Sequence, residues 1–415
     1  MSTTGRAFGG VPVLLAVLLL SHLSLSLAQD QGRIAFIDPD GRVATVAPDG
    51  SELRILTEPG RQFQFPAWSP DGTTLAVIGA DTAGGAVYTV ADSASAEPQE
   101  LYRSQEEPPF YLYWTPDGRQ LGFLANHPSG IGLHIASPED AKSRLRLTGQ
   151  PFYWQWTADG EGLLRHTGFA GPGSRLTFID AAGEGPGGDL AAPGFFQAPG
   201  ISASERYIAY GAVDALGRGR LVVQSNPQLE AVEAEPVARE VGHQGLIALS
   251  WSPTADLLAF ISPPGQAPYF YGPISLLDAE SGLLEPLVPQ LAIAFFWSPD
   301  GCCIAYFTPA LRDEGGGDAD DADGQQRLPL LDLAVAEVAS GKVWQVATFR
   351  PSPLFIAQFL PFFDQYTLSH DIWSPASDAL VLPIVDDDGI TRIYVVTLTG
   401  QLHPVARGSA PVWSR

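Results

Sequence analysis

A five-residue phrase returns along the chain at a nearly constant interval. Trp68-Ser69-Pro70-Asp71-Gly72 is the first copy. It returns as Trp114-Thr115-Pro116-Asp117-Gly118 and Trp156-Thr157-Ala158-Asp159-Gly160. Shorter or full copies follow as Trp251-Ser252-Pro253, Trp297-Ser298-Pro299-Asp300-Gly301 and Trp373-Ser374-Pro375, and the chain ends on Trp413-Ser414-Arg415. The steps from 68 to 114, 114 to 156 and 251 to 297 are 46, 42 and 46 residues. The step of 95 from 156 to 251 requires one degenerate copy. Ile201-Ser202-Ala203-Ser204-Glu205 fills it, because Ile208-Ala209-Tyr210 stands at the offset from Ile201 that Leu75-Ala76-Val77 has from Trp68.

Each unit has the same physical content. A strand ends at the Trp. Pro then fixes φ at the second turn position, Asp can bond its own backbone, and Gly accepts positive φ. A second apolar strand follows, such as Leu75–Ile78 or Ile304–Phe307, then a third such as Ala86–Val90, then a more polar fourth. Four strands in 40–50 residues is the period of a propeller blade, which stacked sandwiches do not explain. The ends complete one another. Ile34-Ala35-Phe36 is a second strand with no first strand before it, and Trp413-Ser414-Arg415 is a first strand with no second strand after it. Pairing them closes the ring and removes its free sheet edges. The expected fold is therefore an all-β propeller of eight four-stranded blades, roughly 48 residues each. Seven is the alternative count, if the 201 or 373 unit is not a full blade.

Composition supports this reading and limits function. Gly 44 and Pro 36 in 415 residues supply many turns. A formal charge of −23 repels phosphate backbones, so nucleic-acid binding is not expected. The N-terminus reads as an export leader over residues 1–28: Arg6 precedes the apolar run Val11–Leu20, and Ser26-Leu27-Ala28 offers small residues before Gln29. The expectation is a single exported domain over 29–415, periplasmic or extracellular, with no membrane span in the mature chain. An uncleaved N-terminal anchor is the alternative. Cys302 and Cys303 are adjacent and cannot staple distant segments; they read either as two ordinary thiols in a strand or as a vicinal disulfide.

The Trp-Ser-Pro-Asp-Gly phrase at this period resembles the WD40-like repeat of TolB-type propellers of bacterial envelopes. The resemblance covers nearly all of the chain after the leader, and it implies the fold more firmly than any role. Two departures matter. TolB-type proteins resemble a six-bladed ring preceded by a small α/β domain. Here the count is higher and the repeats begin close to the expected cleavage site, so the Tol-Pal role does not carry over.

Two insertions interrupt the repeat. Residues 311–327 are Gly- and Asp-rich, but their acids lack calcium-loop spacing, so a solvated, disordered acidic loop is expected. Residues 350–370 are apolar, with Phe355, Phe359, Leu360, Phe362, Phe363 and Tyr366, and should pack over one face of the ring or plug the channel mouth. Aromatic residues also crowd the approach to the inner strands: Phe110, Tyr111, Tyr153, Trp154, Phe195 and Phe196. They either fill the space between blades or form, with Phe362 and Phe363, a rim that grips a partner. Phe110, Tyr153, Phe195 and Phe362, nearest the loops, are expected to be the most exposed.

No catalytic constellation emerges. There is no Gly-x-Ser-x-Gly, no His-Glu-x-x-His, and no helical-period segment long enough for a second, catalytic domain. The histidines are scattered among units, and nothing implies a metal or a cofactor. Paired carboxylates at the channel are neither supported nor excluded. The expected function is a non-catalytic scaffold that binds a protein or peptide, with the aromatic rim as its site. The alternative is a carbohydrate or small-molecule binder, with or without hydrolysis, at the channel mouth.

Overall fold

A computed structural model describes residues 32–415, except 94–95, 169–172, 183–189, 192, 195–197, 215, 230–237, 264, 266–270 and 311–328. The expected leader, the acidic insertion and the Phe195-Phe196 pair lie outside the described residues. Eight antiparallel sheets form a propeller; six are four-stranded and two three-stranded among the described residues. We number the blades by their Trp slots, from blade 1 at Trp68 to blade 8 at Trp413. Eight is thus the count. The degenerate slot is a real blade: Gly200–Ile201 pairs with Tyr207–Val213, which pairs with Gly219–Ser225 and then Ala238–His243.

Blade 8 is built from both ends of the repeat region. Ile34 pairs with Trp413, Ala35 with Val412 and Ile37 with Ser409. The join to blade 1 is reinforced by charge. Asp92 accepts the Thr45 hydroxyl at 2.6 Å and pairs with Arg33 at 2.9 Å and Arg54 at 2.8 Å. Its carboxylate is largely buried, so the two guanidiniums compensate the lost hydration.

The turn phrase works through its first hydroxyl and its Asp. Ser69 Oγ donates to Asp71 Oδ1 at 2.6 Å, and the Thr74 amide donates back to Ser69 Oγ at 3.0 Å. The same cycle recurs at Thr115–Asp117, Thr157–Asp159 and Ser298–Asp300, each at 2.6 Å. These hydroxyls hold the Asp71 and Asp159 carboxyls below the usual carboxylate range. Gly72, Gly118, Gly160 and Gly301 sit at φ +67 to +71°, the region that a side chain disfavours. Glu205 and Ser377 take that place in blades 4 and 7 with φ of 59°, so the left-handed turn position persists there without a glycine.

The Trp has a second task. Its indole N–H donates to the carbonyl just before the Trp of the preceding blade. Trp68 reaches Val412 O at 3.3 Å, Trp114 reaches Ala67 O at 3.1 Å, and Trp156 reaches Tyr113 O at 3.3 Å. Trp297 reaches Ser250 O and Trp373 reaches Phe296 O, both at 3.1 Å. Trp251 breaks the series: Gly200 packs against its indole edge, and its Nε1 has no partner among the described residues. Blade 4 is tied to blade 3 instead by Gln155, which accepts from Ile201 N at 2.8 Å and donates to Ile201 O at 3.3 Å.

Cys303 opens the second strand of blade 6, and both cysteines are free thiols with their sulfurs 2.8 Å apart. No helix of the described residues is long and apolar enough to cross a membrane.

Replacing Trp114 by Phe keeps the ring but removes the inter-blade hydrogen bond to Ala67 O. We expect a loss of about 0.5–1.5 kcal/mol. Urea unfolding should show a lower midpoint with an unchanged slope.

Candidate functional site

The apolar insertion is not a lid over a loop face but a helical plug. Phe355–Phe359, Leu360–Phe362 and Phe363–Tyr366 form three consecutive short helical turns between the outer strand of blade 6 and the Trp373 slot of blade 7. Phe355, Phe359, Phe363 and Tyr366 recur at steps of three to four residues, so one face of the segment is apolar. That face enters the ring. Phe359 stacks on Phe296, with ring centroids 5.7 Å apart, and on Tyr366 at 4.8 Å. Phe363 meets Phe295 at 5.0 Å edge-to-face, and Phe355 meets Phe307 at 5.5 Å. On the opposite side Tyr366 stacks on Phe65 of blade 1 and meets Tyr111 of blade 2 edge-on. The plug thus shares one core with blades 1, 2, 3, 5, 6 and 7.

Its polar side chains satisfy the inner strands. The innermost strand of each blade has no neighbour across the channel, so its buried backbone groups need partners. Gln365 supplies them for Trp154: its Oε1 accepts from Trp154 N at 3.2 Å, and its Nε2 donates to Trp154 O at 3.1 Å. Tyr111 donates its hydroxyl hydrogen to Gln365 O at 3.0 Å and receives Gln365 Nε2 at 3.1 Å. Asp364 Oδ2 accepts from Ala198 N in the approach to blade 4 at 3.0 Å.

These facts settle where the expected rim residues lie. Tyr111, Tyr153, Trp154 and Phe363 are buried, Phe110 is half-buried against the core, and Phe362 is 47% exposed. Tyr153 is therefore not among the exposed residues, because the plug covers the approach to its strand. Phe363 is wholly buried between blade 6 and the plug, so Phe362 and Phe363 face opposite ways.

The open space is at the other end of the channel. A cavity of about 610 Å³ lies below the plug. Pro116, Ala158, Ala203, Pro253, Pro299 and Pro375, the second turn residues of blades 2 to 7, line it at one end, so its mouth is on the turn face. Its walls include Tyr113, Trp156, Trp251, Trp297 and Trp373. Its plug end carries Asp364 and His370, and nearby Asp371 pairs with Arg415 at 2.7 Å. Glu205 at the mouth accepts from Ala158 N at 2.8 Å. Nothing in the repeat singles out Asp364, Gln365, Ser369 or His370; the signal that carries them is polar residues set inside an apolar insertion of helical spacing.

Burial shifts two of these groups in opposite directions. Asp364 is pushed up to about 6 by loss of hydration, against its backbone hydrogen bonds. His370 is pushed down to about 4 by loss of hydration, against the nearby Asp371 charge.

No protein-family model matches the sequence, and no curated protein does. Among solved structures, the chain is similar to a prolyl endopeptidase, 12% identical over 84% of this chain and 50% of that one, with a TM-score of 0.55. It spans half the length of that enzyme. A eukaryotic initiation factor is 12% identical over 92% of this chain and 98% of that one, with a TM-score of 0.50. TolB from Acinetobacter baumannii is 17% identical over 66% and 69%, with a TM-score of 0.38. At such identities the likeness is one of fold, and proteins of different activities share it.

Two measurements follow from this geometry. Phe363→Ala should cost about 3–5 kcal/mol, whereas Phe362→Ala should stay within about 0.5 kcal/mol, both read by chemical denaturation. The titrations of Asp364 and His370 oppose one another. Raised in the fold, Asp364 contributes stability below its unfolded value that is lost as pH rises through about 6. Lowered in the fold, His370 contributes stability above its unfolded value that is lost as pH falls toward about 4. Between those limits their slopes cancel in the wild type. Asp364→Asn should uncover a rise of about 3 kcal/mol in unfolding free energy from pH 4 to 6.5.

Proposed function

We propose that this chain is a binding protein whose ligand enters the channel from the turn face and stops at the plug. The observation that carries this reading is the cavity of about 610 Å³, closed at one end by the 350–370 insertion and walled by aromatic and ionisable side chains. Its volume lies in the range of small-ligand sites, and such sites combine apolar walls with a few polar groups that fix orientation. A rigid ring of blades suits this role, because the walls are set by inter-blade hydrogen bonds and not by mobile loops. The exported setting expected of the leader belongs to the same proposal. It would place the mouth in the periplasm or outside the cell, where it meets imported or secreted compounds.

A second reading keeps the plug face for a protein or peptide. Phe362 favours it, since a Phe that is 47% exposed beside a buried core has no folding role of its own. The cavity is the stronger candidate because, of the other aromatic residues expected on that face, Tyr111, Tyr153, Trp154 and Phe363 are buried and Phe110 is half-buried.

Thermal shift with a panel of small polar compounds, including neutral sugars, organic anions and organic amines, tests the cavity reading. Ala203 is exposed at the mouth, and Ala203→Trp should obstruct it without touching the core. We expect a panel member to raise the melting temperature of the wild type and not of Ala203→Trp. Equal shifts in both proteins, or none in either, would refute the channel as the site.

A further inference from the structure

The plug end of the cavity holds a buried carboxylate oxygen with no donor among the described residues. Asp364 is 2% exposed, and its Oδ1 has no hydrogen-bond partner among the described residues. His370 is also buried, and its Nε2 is likewise unpartnered. On its other side the His370 ring meets Ser369 Oγ at 2.7 Å through Nδ1, and Ser369 Oγ lies 2.8 Å from Tyr111 Oη.

A buried acceptor left unpaired costs free energy, and a carboxylate costs more. The charges around the cavity do not relieve Asp364. The guanidinium of Arg415 is engaged by Asp371 at 2.7 Å. Glu205 at the mouth adds negative charge. The walls are the indoles of Trp156, Trp251, Trp297 and Trp373 and the phenol of Tyr113. Aromatic walls around an anionic end suit a cation with several N–H groups and repel an anion.

We propose that the cavity binds an organic ammonium or guanidinium cation, with an N–H group donated to Asp364 Oδ1 and the carbon body held among the indoles. This rests on the cavity being the binding site, and it adds the chemical class of the ligand. A neutral sugar would leave the Asp364 charge uncompensated, and a carboxylate or phosphate would be repelled by it. The cation pairs with the charge and supplies the missing donor, and a charge-assisted hydrogen bond is about twice as strong as a neutral one.

The test is isothermal titration calorimetry on the full chain at pH 7.5 and low salt. The probes are benzylamine, agmatine and the neutral isostere benzyl alcohol. We expect at least one amine to bind, and benzyl alcohol to bind at least tenfold more weakly than benzylamine if benzylamine is that amine. Asp364→Asn, checked by its melting curve to be folded, should weaken the bound amine at least tenfold. The comparison of probes on the wild type does not depend on that variant. Equal affinity of benzylamine and benzyl alcohol, an unchanged amine affinity in folded Asp364→Asn, or no binding of either amine overturns the inference. A neutral panel compound that binds the wild type and not Ala203→Trp would, beside such a result, leave the cavity reading standing while the cation falls.

Discussion

The structure depends on one recurring hydrogen bond, from the indole of five of the repeat Trp residues to the backbone of the blade before it. A propeller blade is a sheet whose faces pack on its neighbours, and hydrophobic contact alone leaves those sheets free to slide. The bond from Trp114 to Ala67 O, and its equivalents at Trp68, Trp156, Trp297 and Trp373, fix the rotation of each blade against the last. Because the bond is buried, slippage would leave an indole N–H without its acceptor. The Ser/Thr–Asp cycle immediately after Trp68, Trp114, Trp156 and Trp297 holds the turn that positions the indole. The strand end, the turn and the inter-blade bond thus form one unit, and the unit is what repeats.

Blade 4 shows what happens where the unit is missing. With Ile201 in the Trp slot there is no indole to reach blade 3, and Gln155 reaches forward to Ile201 in its place. The replacement joins the same two blades through the same edge, but from the other partner. Gly200 then lets the Trp251 ring lie against the backbone, since a Cβ there would come within 2.7 Å of the indole. The ring stays closed at the cost of one unpaired indole N–H.

Much of this was legible in the sequence for a plain reason. A phrase of Trp, hydroxyl, Pro, Asp and Gly reports turn chemistry that acts over five residues, and its spacing reports the blade. The split of blade 8 between the two ends follows from the same count. The candidate site was not legible in that way. Tyr111, Tyr153 and Trp154 show an aromatic concentration, but whether an aromatic ring is a wall, a core or an exposed rim depends on what covers it. What covers it is a segment more than 200 residues away, through Gln365 on Trp154 and Tyr366 beside Tyr111. The apolar content of that segment suggested a plug, and the steps of three to four between its aromatics carried the helix.

The sequence by itself determined the all-β class, the closure and the position of the repeat turns, and pointed to eight blades with seven as the alternative, because each rests on contacts within a unit or on counting units. Only the tertiary structure decided which mouth of the channel is open and which side chains meet there. Asp364, Ser369 and His370 acquire their chemistry from burial and from partners such as Tyr111 and Ala198, which come together only when the ring has closed around the plug. A carboxylate in water and the same carboxylate in that cavity differ by their surroundings alone, and those surroundings are written in no short stretch of the chain.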